Sequence, residues 1–268
     1  MILGVALPLV ALAATVRLPV PTAPDPRRPG DAATMAGLLG WIVLFLAVKG
    51  PLQAALLPSG AGAAATLTVS TALKLAAFVA VPALVLRWRG LGRWQGGRPT
   101  APAGRLALCF VVMAVAGFGV QALMGSQLRV YLEAGRSGPE VVAGLVACFA
   151  WMSLEAGLVE EFFFRWYLQS RLAAWSGSQL TAIFIGSLVF GLAHAPGIWL
   201  RGAGGVEGLG DAPSLLTSVA YVIAVQGVAG LTFAVLWART RSFALVVLLH
   251  GAFDAPSNAA QFVAAWGG

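Results

Sequence analysis

The stretch LVEEFFFRWYLQ, residues 158–169, places three charged side chains inside an apolar run. Glu160 and Glu161 are adjacent, and Arg165 follows Glu161 by four residues, a spacing at which two side chains meet on one helix face. We expect Arg165 to pair with Glu161, because pairing reduces the cost of burying both charges. Glu160 lies about 100° further round the helix, so the same arginine does not serve it. Glu160 is therefore the carboxylate available for chemistry, and a general base is its natural role.

Both histidines of the protein lie in apolar segments further along the chain. His194 occurs in LVFGLAHAPG and His250 in LVVLLHGAFDAP. Asp254 follows His250 by four residues, so it can hold the tautomer of the imidazole or help to present a hydrogen bond. At a helical rise of about 1.5 Å per residue, Glu161 and the two histidines lie roughly 14 to 22 Å from the same membrane face. The spacing thus predicts that these groups meet at one depth.

These residue types, without a nucleophilic serine or cysteine among them, favour hydrolysis by an activated water. Glu160 would take a proton from the water while one histidine holds that water. The other histidine would polarise the substrate carbonyl and stabilise the oxyanion. Zinc hydrolysis, with the glutamate and histidines as ligands, is the alternative, although the HExxH pattern is absent. Three zinc ligands from separate helices are possible without that pattern, so the residues alone leave both mechanisms open.

Three further charged residues in apolar segments have structural interpretations. We expect Lys49 and Lys74 to lean toward an interface or to pair within the bundle. Glu155 precedes the acidic pair by five and six residues, so on a regular α-helix it faces elsewhere and has a packing or access role. Cys109 and Cys148 are isolated in apolar segments and are predicted to be buried small hydrophobes, with no disulfide or metal role.

The elements that must position these residues are membrane helices. The chain has 268 residues, of which 59% are hydrophobic and only 10% charged, and its mean hydropathy is +0.85. Soluble domains carry about 25% charged residues, so the polar surface of a soluble protein is missing. Apolar runs of about 18 residues or more recur along the chain, each long enough to cross a bilayer. The predicted spans are 1–20, 33–57, 62–86, 104–125, 141–170, 179–199, 213–238 and 242–266.

The predicted fold class is therefore an all-α, polytopic transmembrane helical bundle of about eight spans, with the active site inside the bundle. Residues 1–140 are expected to form an N-terminal set of about four spans, with a proline-rich linker near 18–32. Residues 141–268 would form the catalytic core. We expect the protein to be a multi-pass integral protein of the bacterial inner membrane.

The net charge of +7 comes from arginines between the spans and not from a basic stripe with interleaved aromatics, so nucleic-acid binding is not expected. The connections after the first, third, fifth and seventh spans hold eleven arginines and the other connections hold three. Positive charge collects on the cytoplasmic side of membrane proteins, so this distribution predicts that both termini lie outside.

Three motifs in this order resemble a known family. EEFFFR at 160–165 fits EExxxR, FGLAH at 190–194 fits FxxxH, and HGAFD at 250–254 fits Hxxx(N/D). On separate membrane helices they are similar to the CPBP family, the type II CAAX prenyl endopeptidases and their bacterial relatives, which are glutamic-type intramembrane proteases. The resemblance covers residues 141–256. It implies Glu160 as the general base with His194 assisting, and Glu161 with Arg165 as an orienting pair. Because the glutamic mechanism of that family needs no metal, the resemblance also favours a site without a metal such as zinc or any other cofactor.

The resemblance also implies that His250 and its partner at position 254 donate hydrogen bonds to the oxyanion. Well-studied members carry asparagine at that position, whereas this chain has Asp254, and an ionised carboxylate has no hydrogen to donate. The implied substrate is a membrane-associated protein or peptide, cut near its C-terminus as a CAAX-type or sorting-signal protease would cut it. The alternatives are an inactive binding or immunity protein of the same family, or a proton-coupled transporter.

Overall fold

The computed structural model describes residues 2–16, 27–90, 99–201, 209 and 213–267. Most of the predicted proline-rich linker and part of the arginine-rich connection around residues 91–98 lie outside these ranges. Throughout the described residues the regular secondary structure is helical, which confirms the predicted all-α fold class. The helices are α1 (Ile2–Thr15), α2 (Asp31–Leu56), α3 (Ala63–Trp88), α4 (Ala103–Met124), α5 (Ser126–Leu132), α6 (Gly138–Ser176), α7 (Gln179–Arg201), α8 (Leu215–Thr240) and α9 (Phe243–Trp266).

Each predicted span coincides with one of these helices. Among the described residues six helices, α2, α3, α4, α6, α7 and α8, are both long and apolar enough to cross a membrane. Helix α1 has 14 residues, which at about 1.5 Å per residue is shorter than a bilayer core. Helix α9 has 24 residues, but it carries His250, Asp254 and Asn258, which reduce its mean hydropathy. The expected figure of about eight spans is thus broadly consistent with the structure.

The outward faces of the helices carry large apolar side chains, as lipid contact requires. Val43 and Leu44 on α2 and Val115 on α4 are all more than half exposed. Such a surface would be unfavourable in water, whereas in a bilayer it faces lipid tails. The chain is an integral, multi-pass membrane protein.

The ends of several helices meet on one side of the bundle. Arg239 at the end of α8 donates a hydrogen bond to the carbonyl of Thr15 at the end of α1, at 2.8 Å. At the same end of α8, the carbonyl of Thr240 accepts a 3.0 Å hydrogen bond from the backbone N–H of Thr100, just before α4. These contacts bring together connections that the charge distribution assigns to the cytoplasmic side.

Helix α6 carries the acidic pair and has an irregular course. It begins with a capping box in which Ser137 and Glu140 exchange hydrogen bonds, and it ends at Gly177 in the left-handed conformation (φ 69°). Two π-helical segments, Ser153–Leu158 and Phe162–Gln169, flank a single α-helical turn at Val159–Glu161. Within a π-helix the hydrogen bonds run from i to i+5, so residues five apart lie close together.

Helix α9 is the central element of the bundle, since it packs against α3, α4, α5, α6 and α8. It approaches α6 closely at two glycines. A Cβ on Gly251 would lie 2.1 Å from Ser153 Oγ and 2.7 Å from the Ser153 nitrogen. A Cβ on Gly157 would lie 2.4 Å from the carbonyl oxygen of Val247. The absence of side chains here lets the two backbones pack in contact, a common device in membrane helices.

The substitution Gly251→Ala should therefore force α9 away from α6 and destabilise the fold by about 1–3 kcal/mol, the usual cost of overpacking. Gly119→Ala is the matched control, because a Cβ on that membrane helix meets nothing within 4 Å. Thermal unfolding in detergent measures both. A Gly251→Ala protein as stable as Gly119→Ala would show that the close approach does not constrain the helix pair.

Candidate active site

The acidic pair occupies the α-helical turn of α6, and its two carboxylates have different surroundings. Glu161 is fully buried and its Oε2 lies 3.3 Å from Nε of Arg165, so the predicted i, i+4 pair forms. Glu160 is 15% exposed and makes no contact of this kind with Arg165. Among the described residues no donor lies within hydrogen-bond distance of Glu160 Oε2. A buried acceptor in this condition is costly unless the site uses it.

Arg165 is held from several sides. Its Nη2 donates a 3.1 Å hydrogen bond to the carbonyl of Gly230 on α8. The guanidinium lies 4.2 Å from the ring centroid of Phe190 on α7 and 5.5 Å from that of Phe233 on α8. A desolvated guanidinium gains from such aromatic faces. Arg165 thus fixes α6 against α7 and α8 while it neutralises Glu161.

His250 on α9 reaches the acidic pair through both of its ring nitrogens. Its Nδ1–H donates to Oε1 of Glu161 at 2.7 Å, and its ring stacks on Phe233 at 4.7 Å with an interplanar angle of 8°. Its Nε2 lies 3.8 Å from Oε2 of Glu160 and 3.6 Å from Oδ2 of Asp254. A lone pair on Nε2 would face two carboxylate oxygens, so these contacts favour a proton on Nε2.

His194 on α7 also lies close to Glu160. Its Nδ1–H donates to the carbonyl of Phe190 at 2.8 Å, one turn back on the same helix. The carbonyl can only accept, so in the neutral ring Nε2 carries the lone pair. That Nε2 lies 3.7 Å from Oε2 of Glu160, beyond direct hydrogen-bond distance and close enough for one small molecule to contact both atoms.

The structure thus brings all six predicted site residues into one cluster. Glu160 Oε2 lies within 4 Å of the Nε2 atoms of both histidines, at 3.7 Å from His194 and 3.8 Å from His250. Glu161 accepts the hydrogen bond from Nδ1 of His250 and so sets the tautomer of the ring. Asp254, which the sequence suggested for that role, lies near Nε2 instead. The six residues are Glu160, Glu161, Arg165, His194, His250 and Asp254.

Two further charged residues lie near this cluster, and the pairing of Lys74 within the bundle is one of the two outcomes expected from the sequence. Lys74 on α3 forms a 2.5 Å ion pair with Glu155, and the lysine charge also acts on Glu160 and Asp254. We expected Glu155 to face away from Glu160, as it would on a regular α-helix. Glu155 lies in the π-helical segment Ser153–Leu158, where its carboxylate pairs with Lys74.

Aromatic and glycine contacts of the site were also missed. Phe190 belongs to the FGLAH motif, so its position was a usable signal for the wall beside His194. Gly230 and Phe233 lie in QGVAGLTF, which has no charged residue and no distinctive spacing. Their roles as hydrogen-bond acceptor and stacking surface depend on how α8 packs against α6 and α9, so no sequence signal was available.

The fold and cluster together define a helical membrane protein with a polar site inside its bundle. Residues 142–256 match a family model described as type II CAAX prenyl endopeptidase Rce1-like. The match agrees with the resemblance noted from the motifs, and the matched segment carries all six predicted site residues. At the family level the match indicates a CAAX-protease-like membrane endopeptidase. No curated protein and no solved structure matches the chain.

The buried pair of Glu161 and Arg165 can be tested by removing its charges separately and together. Glu161→Gln should cost about 3–5 kcal/mol, because it leaves the Arg165 charge unpaired in the bundle. The double variant Glu161→Gln/Arg165→Met should be less destabilised than Glu161→Gln alone, since neither charge remains. Thermal unfolding of four proteins, namely wild type, Glu161→Gln, Arg165→Met and the double variant, gives the coupling between the two sites. Additive losses would contradict the pairing.

Proposed function

We propose that this protein is an intramembrane endopeptidase of the bacterial inner membrane that uses a glutamate-activated water. The observation that carries the proposal is that Glu160 Oε2 lies within 4 Å of the Nε2 atoms of both His194 and His250. The family match at residues 142–256 supports peptide-bond hydrolysis as the reaction. The substrate class we propose is a membrane-associated protein or peptide that is cut near its C-terminus.

The first step would use Glu160 and His194. A water donates one hydrogen to Glu160 Oε2 and the other to Nε2 of His194, which orients an oxygen lone pair toward the substrate carbonyl. Glu160 takes the first proton as the oxygen attacks the carbonyl carbon. His194 keeps its lone pair on Nε2 because its Nδ1–H is bonded to the Phe190 carbonyl.

The second step would use His250. Its Nε2–H donates to the oxyanion that forms as the carbonyl becomes tetrahedral. Glu161 supports this donor, because its hydrogen bond to Nδ1 fixes the ring and its negative charge stabilises the imidazolium. The tetrahedral intermediate collapses when the carbon–nitrogen bond breaks, and the leaving amine takes the proton from Glu160. The products are a new carboxylate terminus and a new amine terminus, and Glu160 is again ionised.

The site is open on the sides where a substrate must enter. Glu161 and Arg165 are closed off, whereas His194 is 26% exposed and Asp254 is 35% exposed. Glu160 lies within 4 Å of His194 and approaches the same His250 nitrogen as Asp254, so its carboxylate is near both exposed side chains. A polypeptide segment that crosses from one of these side chains to the other would pass close to the Glu160 carboxylate, which is the arrangement that an endopeptidase needs.

The direct test compares membrane-protein fragments in a wild-type host, a deletion strain and a Glu160→Gln strain. We expect one set of fragments to be lost in both mutants, because removing a general base lowers a rate by about 10²–10⁴-fold. Glu133→Gln makes the same chemical change at an exposed position and should leave the fragments unchanged. If Glu160→Gln matches wild type while deletion has a phenotype, the protein acts by binding and not by cleavage.

Metal dependence provides a second test. Within the described part of the chain no group of three or more His, Cys, Asp and Glu side chains is arranged to hold a metal ion. We predict that the purified protein cleaves its substrate at the same rate before and after treatment with 1,10-phenanthroline. Loss of cleavage that added zinc restores would instead support the zinc alternative.

A further inference from the structure

The environment of His250 Nε2 raises a question of charge that the proposed mechanism does not answer. Glu160 and Asp254 both place a carboxylate oxygen within 4 Å of this single nitrogen. Two carboxylates that share one site tend not to be ionised together, and one of them takes up a proton. If Glu160 takes it, the base is lost. The site therefore needs a further positive charge on the side of Asp254.

Lys74 supplies a positive charge near Asp254 and Glu160. It lies on α3, outside the segment that matches the family model, and α3 packs against α9. Its ammonium is paired with Glu155 and acts electrostatically on both Glu160 and Asp254. Asp254 in turn is acted on by Glu155 and Lys74 as well as by His250 and Glu160.

The other basic side chains around Glu160 already have hydrogen-bond or ion-pair partners. Arg165 is bonded to Glu161 and Gly230, and His250 is bonded to Glu161. His194 donates its Nδ1–H to the backbone carbonyl of Phe190. Lys74 makes one ion pair and is partly exposed, at 22%, beside the open edge of the site.

We propose that Lys74, positioned by Glu155, is the counter-charge of Asp254 and thereby keeps Glu160 ionised as the base. Lys74 is a positioning residue that acts through these two carboxylates. In this arrangement aspartate at position 254 depends on a lysine at position 74. An uncharged asparagine at position 254 would remove the second carboxylate, and the lysine would then be dispensable. The inference rests on the proposed function for its effect on cleavage.

The test is a double-substitution cycle on the full-length protein in proteoliposomes. Lys74→Met should lower kcat/KM for cleavage by about ten- to a hundredfold, the effect of losing an opposite charge near a carboxylate. Lys74→Arg should retain activity, and Asp254→Asn provides the background in which the effect of Lys74→Met is measured again. The double variant Lys74→Met/Asp254→Asn should recover most of the activity that Lys74→Met loses. Lys49→Met, which changes the only other lysine of the chain, is the matched control.

Thermal unfolding of the same variants tests the coupling without reference to activity. Lys74→Met should lower the unfolding temperature more in the wild-type background than in the Asp254→Asn background. A loss of activity that Asp254→Asn does not relieve, with equal unfolding shifts in both backgrounds, would overturn the inference and give Lys74 a packing role. That outcome differs from failure of the proposed function, in which Glu160→Gln would cleave as well as wild type.

Discussion

The buried carboxylate of Glu161 is the interaction on which the site depends. It is fully enclosed and holds Arg165 with one oxygen and His250 with the other, so it joins α6 to α9. Arg165 continues this connection to α7 and α8 through the Phe190 ring and the Gly230 carbonyl. Inside the bundle, away from water, each of these charges would carry a large desolvation cost without the opposite charge beside it. The orientation of His250 follows, because its Nδ1 is fixed and its Nε2 must face Glu160.

The irregular backbone of α6 makes this convergence possible. Two π-helical segments flank the acidic turn of α6, and Gly157 and Gly251 let α9 approach α6 to backbone contact. The outcome is a gradient of exposure across the cluster, from the enclosed Glu161 to the open edges at His194 and Asp254. The enclosed groups orient the ring of His250, and the partly exposed Glu160 is left to meet water and substrate.

Much of the organisation could be predicted from sequence because it depends on local spacing and hydropathy. The spans, the pairing of Glu161 with Arg165 and the common depth of the histidines all follow from helix geometry. Three other contacts join residues that are distant in sequence. Glu161 and His250 are 89 positions apart, Lys74 and Glu155 are 81 apart, and Phe233 and His250 are 17 apart. Such contacts depend on how the helices pack against one another, and local residue spacing does not reveal that packing.

The central claim is that Glu160 activates a water molecule and does not itself attack the substrate. A single turnover with excess purified protein in ¹⁸O-enriched water tests this most directly, with mass spectrometry of the cleaved product and of the peptide that contains Glu160. We predict ¹⁸O in the new carboxylate terminus of the product and none in the Glu160 side chain. Label in Glu160 would show a covalent acyl intermediate on that carboxylate, and an uncleaved peptide bond would show that the protein is not a protease; either result contradicts this account.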